Sequence, residues 1–190
     1  MPSMLEIGPG ENPVISSRPD RCGWLDFIED PTAHYTAAQP NCWRGRYEFP
    51  EELMNNARVN FIPGPIQDAP VRANTFDIVY AKDVLCDPET DWMGIVRAAI
   101  NATAPHGTII FNETCSPEYG PTHRQIDDFT MGKCVVAVSL TLPRQRDARG
   151  DAPQYTQEWI DALNPYSYYI RRTGTKARGM LGENLYILKK

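Results

Sequence analysis

Short apolar runs, each stopped by glycine, proline or a polar cluster, recur along the first 113 residues of the chain. Met4–Ile7 is the first, ended by Gly8-Pro9-Gly10. A run this short and glycine-bounded predicts a buried strand rather than a helix. Trp24–Ile28 is the next predicted strand, followed by Val59–Ile62, Phe76–Ala81 and Thr108–Phe111. Residues 11–21 carry Pro13 and Pro19, so the first crossover is predicted to be a turn or a stunted helix. Residues 30–56 carry Pro31, Pro40 and Pro50 and predict irregular structure, with one helix from Pro50 to Ala57. Thr90–Thr103 places Trp92, Met93, Ile95, Val96, Ala99 and Ile100 at helical spacing, and Pro105-His106-Gly107 is predicted to end that helix.

Strands alternating with connections imply a parallel sheet covered by helices. The pattern changes after residue 115. Residues 116–165 are polar and proline-bearing, with one strand-like run, Cys134–Leu142, and a short predicted helix, Tyr155–Leu163. Tyr168–Thr173 and Leu185–Leu188 are expected as a closing pair of strands. The expected fold is α/β: a mostly parallel sheet, helices on both faces, an antiparallel last strand and reduced N-terminal helices. One domain is expected over residues 1–190. Residues 1–115 would form a ligand-binding core, 116–165 a covering segment and 166–190 the closing strands.

Composition narrows the class. Apolar residues make up 42% of the 190, as in ordinary globular proteins, and no run is long enough to span a membrane. The N-terminus lacks the basic and apolar regions of a signal peptide. The five cysteines are scattered, with no C-x-x-C pair, which predicts reduced thiols and no zinc site. A cytoplasmic protein is expected. The net charge of −5 divides into −9 over residues 1–118 and +4 over residues 119–190. The acidic front half does not predict nucleic-acid binding, whereas the basic rear half suits an anionic small molecule.

A strand ending in Gly-x-Gly brings bare backbone close to a ligand, and such ligands bind beyond the carboxyl ends of parallel strands. The dinucleotide fingerprint would want a further glycine where Pro13 stands, and a P-loop would want Gly-Lys-Ser/Thr. Both are missing, which favours a nucleoside without phosphate. Asp26 lies 20 residues after Glu6, at the predicted end of the second strand, where a carboxylate accepts ribose hydroxyls. Glu29 and Asp30 are alternates.

Five segments in order resemble the Rossmann-like (class I) S-adenosylmethionine (SAM)-dependent methyltransferase family. They are Leu5–Gly10, Asp26, Gly64-Pro65-Ile66-Gln67-Asp68-Ala69-Pro70, Phe76–Ala81 with Val84-Leu85, and Ala104–Ile110. The resemblance implies SAM as cofactor and S-adenosylhomocysteine (SAH) as product. It implies that Glu6, Gly8 and Gly10 line the methionine end, with Pro9 and Asn12 in the same loop. Asp26 would hold the ribose and Phe27 would lie beside the adenine. Ile66 would offer backbone to the adenine, with Gln67 or Asp68 near its amino group. Ala81 and Lys82 would lie under the methionine, and Asp77 would be structural. Gly64-Pro65 replaces the family's frequent Gly-Asp, which leaves Asp68 as the substitute acceptor.

Methyl transfer needs alignment of a nucleophile more than it needs a base. Lys82 and Asp83, after the fourth predicted strand, are the catalytic candidates, with His123 in the covering segment as a third. Glu113 ends the fifth predicted strand, where acceptors often bind. The Asn/Asp-Pro-Pro-Tyr/Phe tetrad of enzymes acting on base amino groups is absent. A small or medium-sized acceptor is therefore expected. Tyr119, Phe129, Tyr155, Trp159, Tyr166, Tyr168 and Tyr169 are candidates for its pocket or for core, and Arg144, Arg146 and Arg149 suit an acidic group on it. The alternative is a catalytically inactive SAM-fold binding or scaffold protein. The acceptor atom and the oligomeric state are not legible.

Overall fold

A computed structural model of the protein describes residues 3–10, 13, 15, 31–39, 49–82, 84–85, 90–113, 120–131, 134–140 and 183–190. Seven strands form one sheet: β1 Ser3–Ile7, β2 His34–Gln39, β3 Val59–Pro63, β4 Phe76–Lys82, β5 Thr103–Glu113, β6 Cys134–Leu140 and β7 Glu183–Lys189. Their order is β3-β2-β1-β4-β5-β7-β6. β1 pairs in parallel with both β2 and β4, so it lies inside the sheet with Glu6 opposite Ala37 on one side and Tyr80 on the other. β2–β3 and β4–β5 are also parallel, whereas β7 runs antiparallel to both β5 and β6. The expected parallel sheet with an antiparallel last strand is the observed one.

Among the described residues, three helices accompany the sheet: α1 Glu51–Met54, α2 Trp92–Ala102 and α3 His123–Thr130. One sheet face presents Leu5, Ile7, Val79, Ala81, Ile109 and Phe111, and β7 adds Tyr186 and Leu188. Against it lie Ile95, Val96, Ala99 and Ala102 of α2 and Ile126 of α3. Each fully buried Val, Leu or Ile stabilises the fold by about 1.5–3 kcal/mol. The opposite face carries Met4, Glu6, Tyr35, Ala37, Tyr80 and Ile110, all buried. There Phe49, just before α1, stacks on Tyr35 and Phe61 with ring centroids 6.5 and 5.0 Å away.

The sequence-based expectations hold for β1, β3, β4, β6, β7 and α2 to within a few residues. Two fail. The strand beside β1 is His34–Gln39, from the stretch expected to be irregular; the expected Trp24–Ile28 strand lies outside the described residues, as do Tyr155–Leu163 and Tyr168–Thr173. Polar His34, Thr36 and Gln39 hid β2, and ladder pairing on both sides makes a strand of the stretch. α3 was not expected at all, yet Thr122 and Gln125 form a capping box at its start. The helix expected from Pro50 to Ala57 is a single turn behind Pro50.

Asp91 caps the N-terminus of α2 by accepting from Gly94 N–H at 3.0 Å. Its C-terminus has no basic residue of its own. Lys190, just past β7, supplies the cation: Nζ donates to Ile100 O at 2.7 Å, Thr103 O at 2.8 Å and Asn74 Oδ1 at 2.7 Å. A cation on helix-terminal carbonyls also meets the negative end of the helix dipole. Lys190→Met, which keeps most of the apolar stem, is expected to lower unfolding free energy by about 1–2 kcal/mol in urea titration.

Candidate functional site

The carboxyl ends of β1, β2, β3, β4 and β5 lie along one edge of the sheet, so the segments that leave them meet there. Gly8-Pro9-Gly10 follows β1. Gly8 and Gly10 have φ of 66° and 59°, where a side chain is strained. A Cβ on Gly8 would also come within 2.6 Å of Val84 Cγ1, in the segment after β4. That segment is tied in turn to β5: Leu85 N–H donates to Glu113 Oε2 at 3.1 Å. Gly64 after β3 has φ of 132° and donates to Gln39 O at 2.7 Å. Gly10 N–H donates to Gln39 Oε1 at 2.8 Å. The turn after β1 is thus held between the end of β2 and the segment after β4.

Among the described residues, two carboxylates are buried at the strand ends, Glu6 and Glu113, each 3% exposed. Glu6 shares the face of Tyr35 and accepts a short hydrogen bond from the Tyr35 hydroxyl, 2.5 Å. The Tyr35 phenol is held well above its ordinary value of 10.0. Burial contributes most, then the charge of Glu6, then the hydrogen bond. Glu113, expected near the acceptor, accepts from the Leu85 amide through Oε2.

Of the residues expected to bind the cofactor, Glu6, Gly8, Pro9, Gly10 and Ala81 come together at this edge; Ala81 is buried beside Ile7 in the β1–β4 register. Ile66 is buried in the core, and its carbonyl accepts from Ala69 N–H at 3.3 Å. Gln67 and Asp68 are exposed in the same turn, Gln67 reaching Asp91 O at 3.5 Å. Lys82 is the last residue of β4 and His123 the first of α3 rather than a loop residue. Asn12, Asp26, Phe27 and Asp83 lie outside the described residues, as do Arg144, Arg146 and Arg149.

Asp77 is at the other end of β4, accepting from Ser3 N at 2.8 Å and Ser3 Oγ at 2.9 Å. Phe129 packs edge-on against Trp92 at 5.5 Å, on the core side of α3. The premise that placed Asp26 was the end of the second strand; the residue there is Gln39. Sequence reasoning missed Gln39 and Tyr35 together, because both belong to the missed strand. A readable signal was the buried-strand length of the Pro31–Pro40 interval.

Residues 35–111 match a family model described as "Methyltransferase domain". No curated protein matches the chain in sequence. Among solved structures, the chain is similar over its full length to phosphoethanolamine N-methyltransferase 2 of Haemonchus contortus, with a TM-score of 0.58 at 14% identity. It spans 48% of that chain, about half. It is similar to the N-methyltransferase NodS of Bradyrhizobium japonicum at a TM-score of 0.56 and 12% identity, covering 100% of this chain and 85% of that one. The [4+2]-cyclase SpnF is also similar, at a TM-score of 0.58 and 14% identity over 99% of this chain and 74% of that one.

The buried Tyr35 gives a pH signature. A raised folded pKa keeps the phenol neutral, so its contribution is complete below pH 10 and is lost as pH rises from 10.0 toward the folded value. Tyr35→Phe removes one donor from a buried carboxylate and is expected to cost about 1–3 kcal/mol at neutral pH. In urea titrations at successive pH values, the gap between wild type and variant should narrow above pH 10; a constant gap would contradict the assignment.

By its sheet order and these likenesses, the chain has the Rossmann-like fold of class I SAM-dependent methyltransferases, and its residues 35–111 resemble a methyltransferase domain.

Proposed function

We propose that this chain is a SAM-dependent methyltransferase that passes the methyl group to a small or medium-sized acceptor by direct displacement. The observation that carries this reading is the Gly8-Pro9-Gly10 turn at the edge where β1 ends. Its left-handed glycines leave backbone bare on the side where parallel sheets take nucleosides. SAM supplies a methyl group already activated by its sulfonium, so the protein has to bind, align and exclude water.

In this reading Gly8 and Gly10 give the methionine end close backbone approach, and Ala81 leaves room at the end of β4. The Gly64–Asp68 turn holds the adenine, and Asp26 remains the candidate ribose acceptor, with Phe27 and Asn12 nearby. Lys82, Asp83 and His123 are the candidates to orient the acceptor or take its proton. An acidic acceptor suits the net +4 of residues 119–190. Structures of the Haemonchus contortus enzyme with phosphomonomethylethanolamine and SAH show a similar fold serving a small phosphate-bearing amine. The likeness to SpnF supports a second reading, in which this fold hosts chemistry other than methyl transfer.

Calorimetry with SAM and with SAH tests the first reading. Wild type is expected to bind both with dissociation constants of about micromolar order, and Gly8→Ala to bind at least about tenfold more weakly, since its Cβ forces the turn against Val84. Asp26→Ala should also weaken binding. Wild type that binds neither ligand would refute the proposal. SAH release across a panel of amines, phenols and carboxylic acids then identifies the acceptor class.

A further inference from the structure

Among the described residues, the glycines with left-handed backbone are Gly8, Gly10 and Gly64, and all three are anchored on the last two residues of β2. Gly8 N–H donates to Ala38 O at 2.9 Å and Gly64 N–H to Gln39 O at 2.7 Å. Both extend strand ladders with main-chain acceptors, which any residue would offer. The bond from Gly10 is different in kind. It runs to a side chain, Gln39 Oε1 at 2.8 Å, across 29 residues of sequence.

Gln39 is 4% exposed, so bulk water does not replace that acceptor. The orientation of its amide follows from chemistry: an N–H bonds the oxygen of a carboxamide, not its NH2. Nucleotide-binding parallel sheets often place a carboxylate near this point for the ribose hydroxyls. Here the side-chain oxygen faces the chain's own glycine turn.

We propose that Gln39 is the positioning residue of the cofactor cradle. Its side chain fixes the Gly8–Gly10 turn, and its main chain fixes the Gly64 turn, so one residue sets the gap between the two walls of the site. It does not serve as the ribose acceptor. The proposal rests on the SAM reading above for the identity of the ligand, but the clamp itself is a property of the free protein.

Three measurements on the full chain test it: SAH calorimetry, hydrogen exchange of the Gly10 amide by NMR, and the thermal midpoint. Gln39→Met keeps the side-chain length and removes the acceptor. It should weaken SAH binding by about tenfold and speed Gly10 exchange while the chain remains folded. Gln39→Glu restores an acceptor oxygen and should keep affinity within about threefold of wild type, with Gly10 still protected. If Gln39→Met does not fold, Gln39→Asn, one methylene too short to reach Gly10, takes its place.

Wild-type affinity in Gln39→Met with Gly10 still protected overturns the proposal. So does a Gln39→Glu variant as weak as Gln39→Met, because the ligand would then be reading the amide N–H groups. If wild type binds neither SAM nor SAH, the SAM reading fails, and Gly10 exchange in the free variants still decides whether the clamp exists.

Discussion

The rest of the structure depends on the burial of β1 from both faces. Parallel strands leave neither face to water, and β1 lies at the centre of the five parallel strands, between β2 and β4. Met4, Leu5 and Ile7 are at most 4% exposed, so apolar residues suffice on three of its positions. Glu6 is the exception. A carboxylate in that setting needs donors within the protein, and the Tyr35 hydroxyl from β2 provides one. The neighbour strand is therefore chosen by chemistry as well as by shape: β2 has to bring a donor to Glu6 and small Ala37 and Ala38 beside β1. The same strand then carries Gln39 to the edge, where the glycine turn begins.

Much of this architecture is legible in the sequence. Short apolar runs with β-branched or aromatic residues identify β3, β4 and the second half of β5, and helical spacing identifies α2. β2 was not legible because its burial comes from its neighbours rather than from its own composition. Trp24–Ile28 carries stronger β-formers, so propensity pointed there, while tertiary pairing made a strand of His34–Gln39. The same preference placed the expected ribose residue at Asp26, outside the described residues, and passed over Gln39. α3 was overlooked for a different reason. Its Thr122–Gln125 capping box was present, but eight residues with Ile126 and Phe129 as their apolar members give a weak periodic signal. The glycine turn was legible because its constraint is local: left-handed backbone selects glycine wherever the partner strands happen to lie.

The two buried carboxylates bear on the chemistry. A general base has to reach the proton it removes and exchange it with solvent. Glu6 is occupied by Tyr35, and Glu113 by the Leu85 amide, and both are shielded from water. Their positions suit anchoring. Glu113 fixes the segment whose Val84 bounds Gly8, and Glu6 fixes β1 to β2 directly beneath the turn. The buried carboxyl groups at the strand ends thus hold neighbouring segments in place. Such a division fits methyl transfer from a sulfonium, where the leaving group is neutral and the reaction gains most from fixed geometry. It also explains why a fold of this kind tolerates very different acceptors. Among the described residues, the carboxylates and glycines that shape the sheet edge act on the chain itself.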